Sequence, residues 1–470
     1  MLPGPQLAAA LSVVRCLRDH GHQAYFAGGC VRDLALGRIP ADYDVATSAT
    51  PDVVLGLFPR TYAVGAHFGV VLVAGEDGAR TEVATFRADG AYSDGRHPDA
   101  VRYTLSAAED VARRDFTVNG LLLDPWHGDG VLDALLAADG NGMLPAHKDR
   151  IRAYLVDHVG GLDDLKAGLI RAIGPAHTRF EEDHLRMMRA VRFAARLGFA
   201  IDEATGQAIA RMAPCLAAVS RERVRDELTK MLTEGRARRA FELLHATGLL
   251  AQVLPEVAKM TGVEQPADFH PEGDVWQHTL LLLDQLEPGA PMTLGWGALL
   301  HDIGKPATFC RATDRIRFDG HVEVGVAIAA DICRRFRFSK DETARILALI
   351  ENHMRFMDVM RMREATLKRF FRLEDFDQHL QLHRMDCLAS KGDLRNWEYA
   401  RERWLATPAE AVRPQPLLTG KDLITAGYRP GPQFKVMLAA VEEAQLEGCI
   451  DSLQGALDLL TARFGVLLRP

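Results

Sequence analysis

Gly28–Gly29–Cys30–Val31–Arg32–Asp33, followed ten residues after Arg32 by Asp42–Tyr43–Asp44, is the stretch on which the reading of this chain turns. Two glycines directly after a strand let the backbone turn tightly and come close to a phosphate, and an arginine one helical turn on can grip it. On a strand, residues i and i+2 point the same way, so Asp42 and Asp44 are expected to present two carboxylates to one site. Two hard oxygen ligands together with substrate phosphates is the usual way Mg²⁺ is held at phosphoryl-transfer sites.

Working outward, the N-terminal region mixes strands and helices. Pro3–His20 has helical periodicity, and Gln23–Ala27, Val70–Ala74 and Thr81–Phe86 read as strands. From about Leu162 onward strand signals nearly vanish, and Arg/Leu/Ala-rich helical pattern runs on. Breaks are expected at Gly198, Pro214, Gly235, Pro255 and Thr261–Gly273. A Pro/Ala-rich boundary falls at Pro408–Pro416. At 470 residues the chain is too long for one ordinary core.

The net charge of −7 does not suggest nucleic acid, but its distribution does. Ile170–Ala240 carries fourteen Arg or Lys against nine Asp or Glu, a local +5 that can hold phosphates. The seven cysteines are scattered with no CxxC, which argues against sulfur-bound zinc and for a reducing compartment. No apolar run approaches the ~18 residues a membrane-spanning helix needs. The expected location is cytoplasmic and no membrane partner is expected.

The motifs continue in order: Gly37–Pro51 around the Asp pair, Val64–Val70, Glu82–Arg87, Arg113–Asn119, Gly161–Leu165, Ile170–Gly174 and Glu182–Phe193. Together with Gly28–Asp33 this series resembles the class II tRNA nucleotidyltransferases and bacterial poly(A) polymerases. The resemblance implies an α+β chain: a polymerase-β-like nucleotidyltransferase head over 1–160, an extended all-α neck and body over 161–265, an HD domain over 266–407 and a helical tail over 408–470. It implies that Gly29 and Arg32 contact the triphosphate, that Asp42 and Asp44 are the catalytic Mg²⁺ ligands, and that Arg114 reaches phosphate or ribose. Asp115 and Asn119 would shape the ribose pocket. Glu82 is read either as a supporting third carboxylate or as a salt-bridge partner.

Asp183, Arg186, Arg189 and Arg192 are spaced by three and are expected along one slowly drifting helix face. The resemblance makes them nucleotide-binding, with Asp183 and Arg186 reading the base edges of CTP and ATP in place of a nucleic-acid template. An Arg/Asp pair supplies the donors and acceptors that both bases require. The acceptor implied is tRNA.

Arg87–Pro98 resembles the loop that helps CCA-adding members switch from C to A. The basic–aromatic run of the poly(A) polymerases is absent around Arg60–Gly65. Both features favour CCA addition; A-only addition and poly(A) synthesis stay open. Trp126–Val159 is longer than the family's usual passage here and is given no role.

In the second half, His278, His301–Asp302, His321, His353 and Asp386 follow the order H…HD…H…H…D of the HD-superfamily phosphohydrolases. His278, His301, Asp302 and Asp386 are the expected ligands, with His321 and His353 as further candidates. The ion would be Mn, Ni, Fe, Co or Mg. Hydrolysis of RNA ends or nucleotides by this domain is the alternative main activity. Leu418–Leu423 and Gly427–Pro432 resemble the tail of HD-bearing members, where they would pack or contact the tRNA body. The oligomeric state is not readable.

Overall fold

Pro5 opens α1 (Pro5–Asp19) at a position that needs no backbone N–H, and Leu7, Ala10, Val13, Val14 and Leu17 recur every three or four residues as its buried stripe. The computed structural model describes residues 4–63, 69–75, 78–90, 100–127, 131–141, 148–266, 270–271 and 273–465. The chain falls into two units, Met1–Pro255 and Glu256–Pro470.

In the first unit, β1 (Ala24–Ala27) runs through Gly28 into α2 (Gly29–Ala35). It is followed by β2 (Val45–Thr47), α3 (Pro51–Leu57), β3 (Thr61–Tyr62), β4 (Val70–Ala74), β5 (Arg80–Thr85), β6 (Arg87–Asp89), β7 (Val101–Tyr103), α4 (Ala107–Ala112) and β8 (Leu121–Leu123). The segment after Trp126 supplies α5 (Val131–Asn141), α6 (Lys148–Ala153) and the edge strand β9 (Leu155–Asp157). Among the described residues the main sheet is ordered β3-β4-β5-β2-β1-β8-β9, with β2 and β5 parallel and the other neighbours antiparallel. β1, β2 and β8 lie in the middle and are buried almost throughout. β5 alternates exposed and buried residues over most of its length. That difference is why β5 is legible as a period-two pattern and β8 is not. β6 pairs with β7 as a separate ribbon, so Arg87–Asp89 is strand; residues 91–98 of the expected switching loop lie outside the described residues, as do 64–68.

The remainder of this unit is helical: α7 (Gly161–Ala167), α8 (Ala176–Glu182), α9 (Arg186–Leu197), α10 (Glu203–Met212), α11 (Arg221–Thr233), α12 (Ala237–Ala246) and α13 (Leu249–Val253). The helical reading holds, with one exception. β10 (Leu169–Ile170) and β11 (Ala200–Ile201) form a parallel pair too short to leave a sequence pattern. α7 lies directly against the 3₁₀ turn Thr117–Asn119. A Cβ on Gly161 would stand 2.1 Å from the carbonyl oxygen of Thr117, so only glycine permits this approach.

α14 (Pro255–Ala258) begins at the last residue of the first unit, and the second unit then carries α15 (Val275–Leu283), α16 (Met292–Leu300), α17 (Lys305–Thr308), the hairpin β12 (Cys310–Arg311) and β13 (Ile316–Arg317), α18 (His321–Arg335) and α19 (Lys340–Asn352). Next come α20 (Glu364–Phe371), α21 (Phe376–Ala389), α22 (Arg395–Ala406) and α23 (Ala409–Val412). α24 (Gly420–Thr425), α25 (Gln433–Leu446) and α26 (Leu453–Phe464) close the chain around their own apolar cluster, which buries Leu418, Leu423 and Tyr428. Both tail stretches singled out in the sequence therefore contribute to packing. No described helix is long and apolar enough to cross a membrane.

Candidate active sites

In the first unit, Gly28 has φ +73°, a conformation that glycine adopts without strain, and a Cβ there would meet the Arg114 guanidinium at 3.3 Å. Asp42 and Asp44 stand just ahead of β2 and not on it, a correction to the strand expectation. The chain is nonetheless already extended, because the Ala27 N–H donates to the Asp44 carbonyl at 3.0 Å. Tyr43 is buried beside Phe26 while its two neighbours are not, so the alternation survives. Val45 pairs with Val83, which sets Asp44 level with Glu82 on the adjacent strand. Burial, then the charges of Glu82 and Asp42, push the Asp44 carboxyl up to about 7 against the opposing Arg114. Burial and Asp42 likewise raise Glu82. Among the described residues no ion pair of Glu82 is found, which favours the third-carboxylate reading of that residue. Three mutually repelling carboxylates at one strand end suit a divalent cation, whose charge would relieve them.

Arg114 donates to Asp110 at 3.0 Å, and its buried Nε has no hydrogen-bond partner among the described residues. Placed between the glycine turn and Asp44, such a donor fits a phosphate oxygen. Arg32 is buried; it donates to Asn119 Oδ1 at 2.6 Å and to Asp33 at 2.9 Å. Asn119 in turn donates to Asp115 at 3.0 Å, and Arg189 closes the chain on Asp115 at 2.7 Å. Burial opposes the charge of Asp115, but Arg189 and Asn119 hold its carboxyl at about 2. Four of the expected residues, Arg32, Asn119, Asp115 and Arg189, thus form one connected chain of hydrogen bonds beside the turn that holds Gly29.

The expected single helix face over Asp183–Arg192 does not form. α8 ends at Glu182, Asp183 is extended (φ −151°, ψ 103°), and α9 begins at Arg186. The break arises because the Asp183 carboxylate accepts the N–H of Leu185 at 3.1 Å, holding the chain out of the helix as an N-terminal cap does. Asp183 is gripped by both terminal nitrogens of Arg223, at 3.2 and 2.7 Å. Arg186 pairs with Glu182 and donates to the carbonyl of Arg113 at 3.2 Å. Both side chains are held in fixed directions, as base recognition demands. Arg192 is different: it is buried between Glu227 at 2.7 Å and Glu234 at 3.1 Å, bracing α9 against α11. The structure does not bring it together with the other candidates as a free donor.

In the second unit, six ligand side chains converge. His278, His301 and Asp386 form one group whose ligand atoms lie within 4.8 Å of one another, and Asp302, His321 and His353 form another. Asp302 joins them, 3.2 Å from His301 Nε2 and 3.8 Å from the Nε2 atoms of His321 and His353. His301, His321 and His353 each place Nδ1 against the carbonyl three residues back, at 2.9, 2.9 and 2.6 Å. A carbonyl only accepts, so Nδ1 carries the proton and Nε2 turns its lone pair inward. The Nε2 atoms of His321 and His353 are buried without a hydrogen-bond partner among the described residues. Burial holds His353 down at about 4, a neutral imidazole. Burial works against the charge of Asp302, yet Lys305 and His301 keep it well below the usual carboxylate range. Orphaned, inward-facing imidazoles around a charged carboxylate fit one or two divalent ions. Gly304 makes the convergence possible, since a Cβ there would lie 2.1 Å from the His321 carbonyl oxygen.

The Poly A polymerase head domain family matches residues 24–171, the probable RNA- and SrmB-binding site of polymerase A matches 198–261, and the HD domain family matches 274–388. A CCA-adding enzyme of Geobacillus kaustophilus is 32% identical over 453 residues, 95% of each chain. The chain belongs to the CCA-adding enzyme family. Another family member, from Geobacillus thermodenitrificans, is 43% identical over 255 residues, covering 54% of this chain and 56% of the relative. The Bacillus stearothermophilus CCA-adding enzyme in complex with CTP superposes with a TM-score of 0.72 at 28% identity, over 98% of both chains. The Thermotoga maritima CCA-adding enzyme complexed with tRNA shares the fold, with a TM-score of 0.55 at 16% identity, over 98% of this chain and 96% of that one.

Sequence reading missed the partners that position the family's residues. Asp110, 1% exposed, holds Arg113 and Arg114, and its i, i+3 and i, i+4 spacing to them was visible. Lys305 is buried on Asp302 at 2.6 Å and on Gln265 at 2.7 Å. Arg223, 40 residues from Asp183, left no local signal.

Proposed function

We propose that this chain adds cytidine, cytidine and adenosine to the 3′ end of tRNA, taking CMP and AMP from CTP and ATP without a nucleic-acid template. The observation that carries the reading is the set of Asp42, Asp44 and Glu82 beside the Gly28–Gly29 turn and Arg114, in a chain that belongs to the CCA-adding family. In this reading Asp42 and Asp44 hold Mg²⁺, which when bound lowers the pKa of the 3′-hydroxyl and neutralises the pyrophosphate. The 3′ oxygen bonds to the α-phosphorus, the bond from that phosphorus to the oxygen bridging to the β-phosphate breaks, the hydroxyl proton passes to water and pyrophosphate departs. Gly29, Arg32 and Arg114 bind the triphosphate, Asp115 and Asn119 fix the ribose, and Arg189 holds Asp115 in place. Asp183 and Arg186 select the base. We assign the head to 1–160, the neck and body to 161–265, the HD domain to 266–407 and the tail to 408–470, all working in the cytoplasm.

A second activity is proposed for the second unit: phosphoester hydrolysis at His278, His301, Asp302, His321, His353 and Asp386, with Mn, Ni, Fe, Co or Mg as the ion. It is supported by the two converging ligand groups.

Labelled CTP and ATP, alone and together, offered to tRNAs ending at the discriminator base, in CC and in CCA, test the first reading. Two cytidines and one adenosine, then arrest, are expected. Extension by ATP alone of only the CC-ending acceptor would make it an A-adding enzyme, and long A tails a poly(A) polymerase. Asp42→Ala should abolish incorporation while tRNA affinity stays near that of the wild type.

A further inference from the structure

The ligand cluster of the second unit opens into a cavity of about 480 Å³, which Asp302, His321, His353 and Asp386 line on the metal side. The rest of its wall includes the β12–β13 hairpin, through Arg315, Ile316, Arg317 and Phe318. This hairpin is tied to the cluster: the carbonyl of Phe318 accepts from Nδ1 of His321 at 2.9 Å. Arg317 is therefore the residue before one that orients a metal ligand. A lone phosphate would leave most of such a cavity empty, whereas volumes of about 300–1,000 Å³ suit nucleotide-sized ligands.

The hairpin's arginines differ in how they are used: Arg311 pairs with Glu264, while Arg315 and Arg317 line the cavity. Among the described residues the Arg315 side chain has no hydrogen bond or ion pair. Arg317 pairs with Asp314 at 2.8 Å with both side chains about half exposed, and a pair in that setting holds its arginine weakly. Asp319 and Glu323 also line the cavity, and Asp319 lies near enough to Arg317 to favour its charge, so Arg315, with no ion pair among the described residues, is the more available of the two cations. Guanidinium groups in a cleft that opens on a hydrolytic centre are suited to bidentate phosphate binding.

We propose that the β12–β13 hairpin is a second phosphate subsite, so that the cavity takes a nucleoside flanked by phosphate on both sides. The scissile phosphomonoester lies at the ligand cluster and the other phosphate at Arg315 and Arg317. In the reaction a water oxygen bonds to phosphorus, the ester P–O bond breaks, the departing ribose oxygen takes up a proton and inorganic phosphate leaves. The proposal rests on the hydrolase reading of this unit and adds its substrate class. A free nucleoside bisphosphate and a phosphate-terminated oligonucleotide share that chemistry.

The test measures phosphate release by the full-length enzyme with added Mn²⁺, Co²⁺, Ni²⁺ or Mg²⁺. The probes are adenosine 3′-monophosphate, adenosine 3′,5′-bisphosphate and a 3′-phosphorylated trinucleotide. The wild type should favour the two-phosphate probes in kcat/KM by about tenfold or more, the worth of a charge-assisted contact. In Arg315→Ala with Arg317→Ala that preference should fall to within about twofold, mainly through KM, and Arg315→Lys with Arg317→Lys should keep part of it. A higher kcat/KM for the trinucleotide than for the bisphosphate assigns the subsite to nucleic-acid ends, and the reverse order to free nucleotides. Equal rates on all three probes, unmoved by the Ala variant, overturn the subsite but leave the hydrolase. No hydrolysis of any probe with any of the metals overturns the hydrolase reading itself.

Discussion

Arg192→Ala separates a structural brace from a nucleotide contact. Arg192 is 6% exposed and Glu227 3% exposed. The change removes the 2.7 Å pair to Glu227 and the 3.1 Å pair to Glu234, and leaves buried Glu227 without a close ion pair, with the half-exposed Lys230 at 3.8 Å and the more distant charge of Arg189 near it. Breaking one side of a buried ion pair costs about 3–5 kcal/mol, because the remaining charge is uncompensated. For a unit of roughly 250 residues each kcal/mol shifts Tm by about 2–4 °C, so the transition should fall by roughly 6–20 °C. Arg192→Met combined with Glu227→Leu replaces the pair by apolar volume and should recover most of the loss. Calorimetry gives Tm, and initial rates of CTP and ATP incorporation give KM. A single variant that melts within about 2 °C of the wild type while KM for either nucleotide rises tenfold would refute the brace. So would a double variant restored in Tm but still deficient in KM.

Three further outcomes are expected. Gly161→Ala forces Cβ to 2.1 Å from the Thr117 carbonyl oxygen and should cost more than Gly160→Ala, which has open space and only its φ of +77° to bear; about 1–3 kcal/mol against about 1, read by urea unfolding, is the predicted order. Asp115 has its carboxyl lowered to about 2, so its contribution is fully present above its ordinary value of 3.8 and is lost as pH falls through 2. Asp115→Asn should therefore flatten the stability profile between about pH 4 and 2, with roughly 2 kcal/mol at stake; an unchanged acid limb counts against the Arg189 pairing. His301→Ala with Asp302→Ala should spare nucleotide addition and remove phosphoester hydrolysis, and a collapse of addition would mean that the two activities are not independent.

The sequence alone singled out the candidate catalytic residues and the order of a polymerase-type head followed by an HD domain, an order that the family matches share. Close approach of backbone to phosphate needs glycine, carboxylates for a hard cation must recur on one side of an extended chain, and HD ligands come in a set order. Those constraints are local or ordered along the chain, so Gly28, Asp42, Asp44, His301 and Asp302 stand out without coordinates. What the tertiary structure decided is pairing at a distance. Whether Glu82 joins the carboxylates depends on the β2–β5 register, which no local pattern encodes. That Asp183 leaves the helix follows from its cap to Leu185, and its orientation from Arg223, 40 residues away. Arg186 and Arg192 carry the same charge on the same helix, yet one is held by Glu182 and the Arg113 carbonyl and the other is sealed between Glu227 and Glu234. An arginine's chemistry is written in its side chain, but its role is set by which carboxylate the fold brings to it, and burial then fixes that choice by making the unpaired alternative too costly.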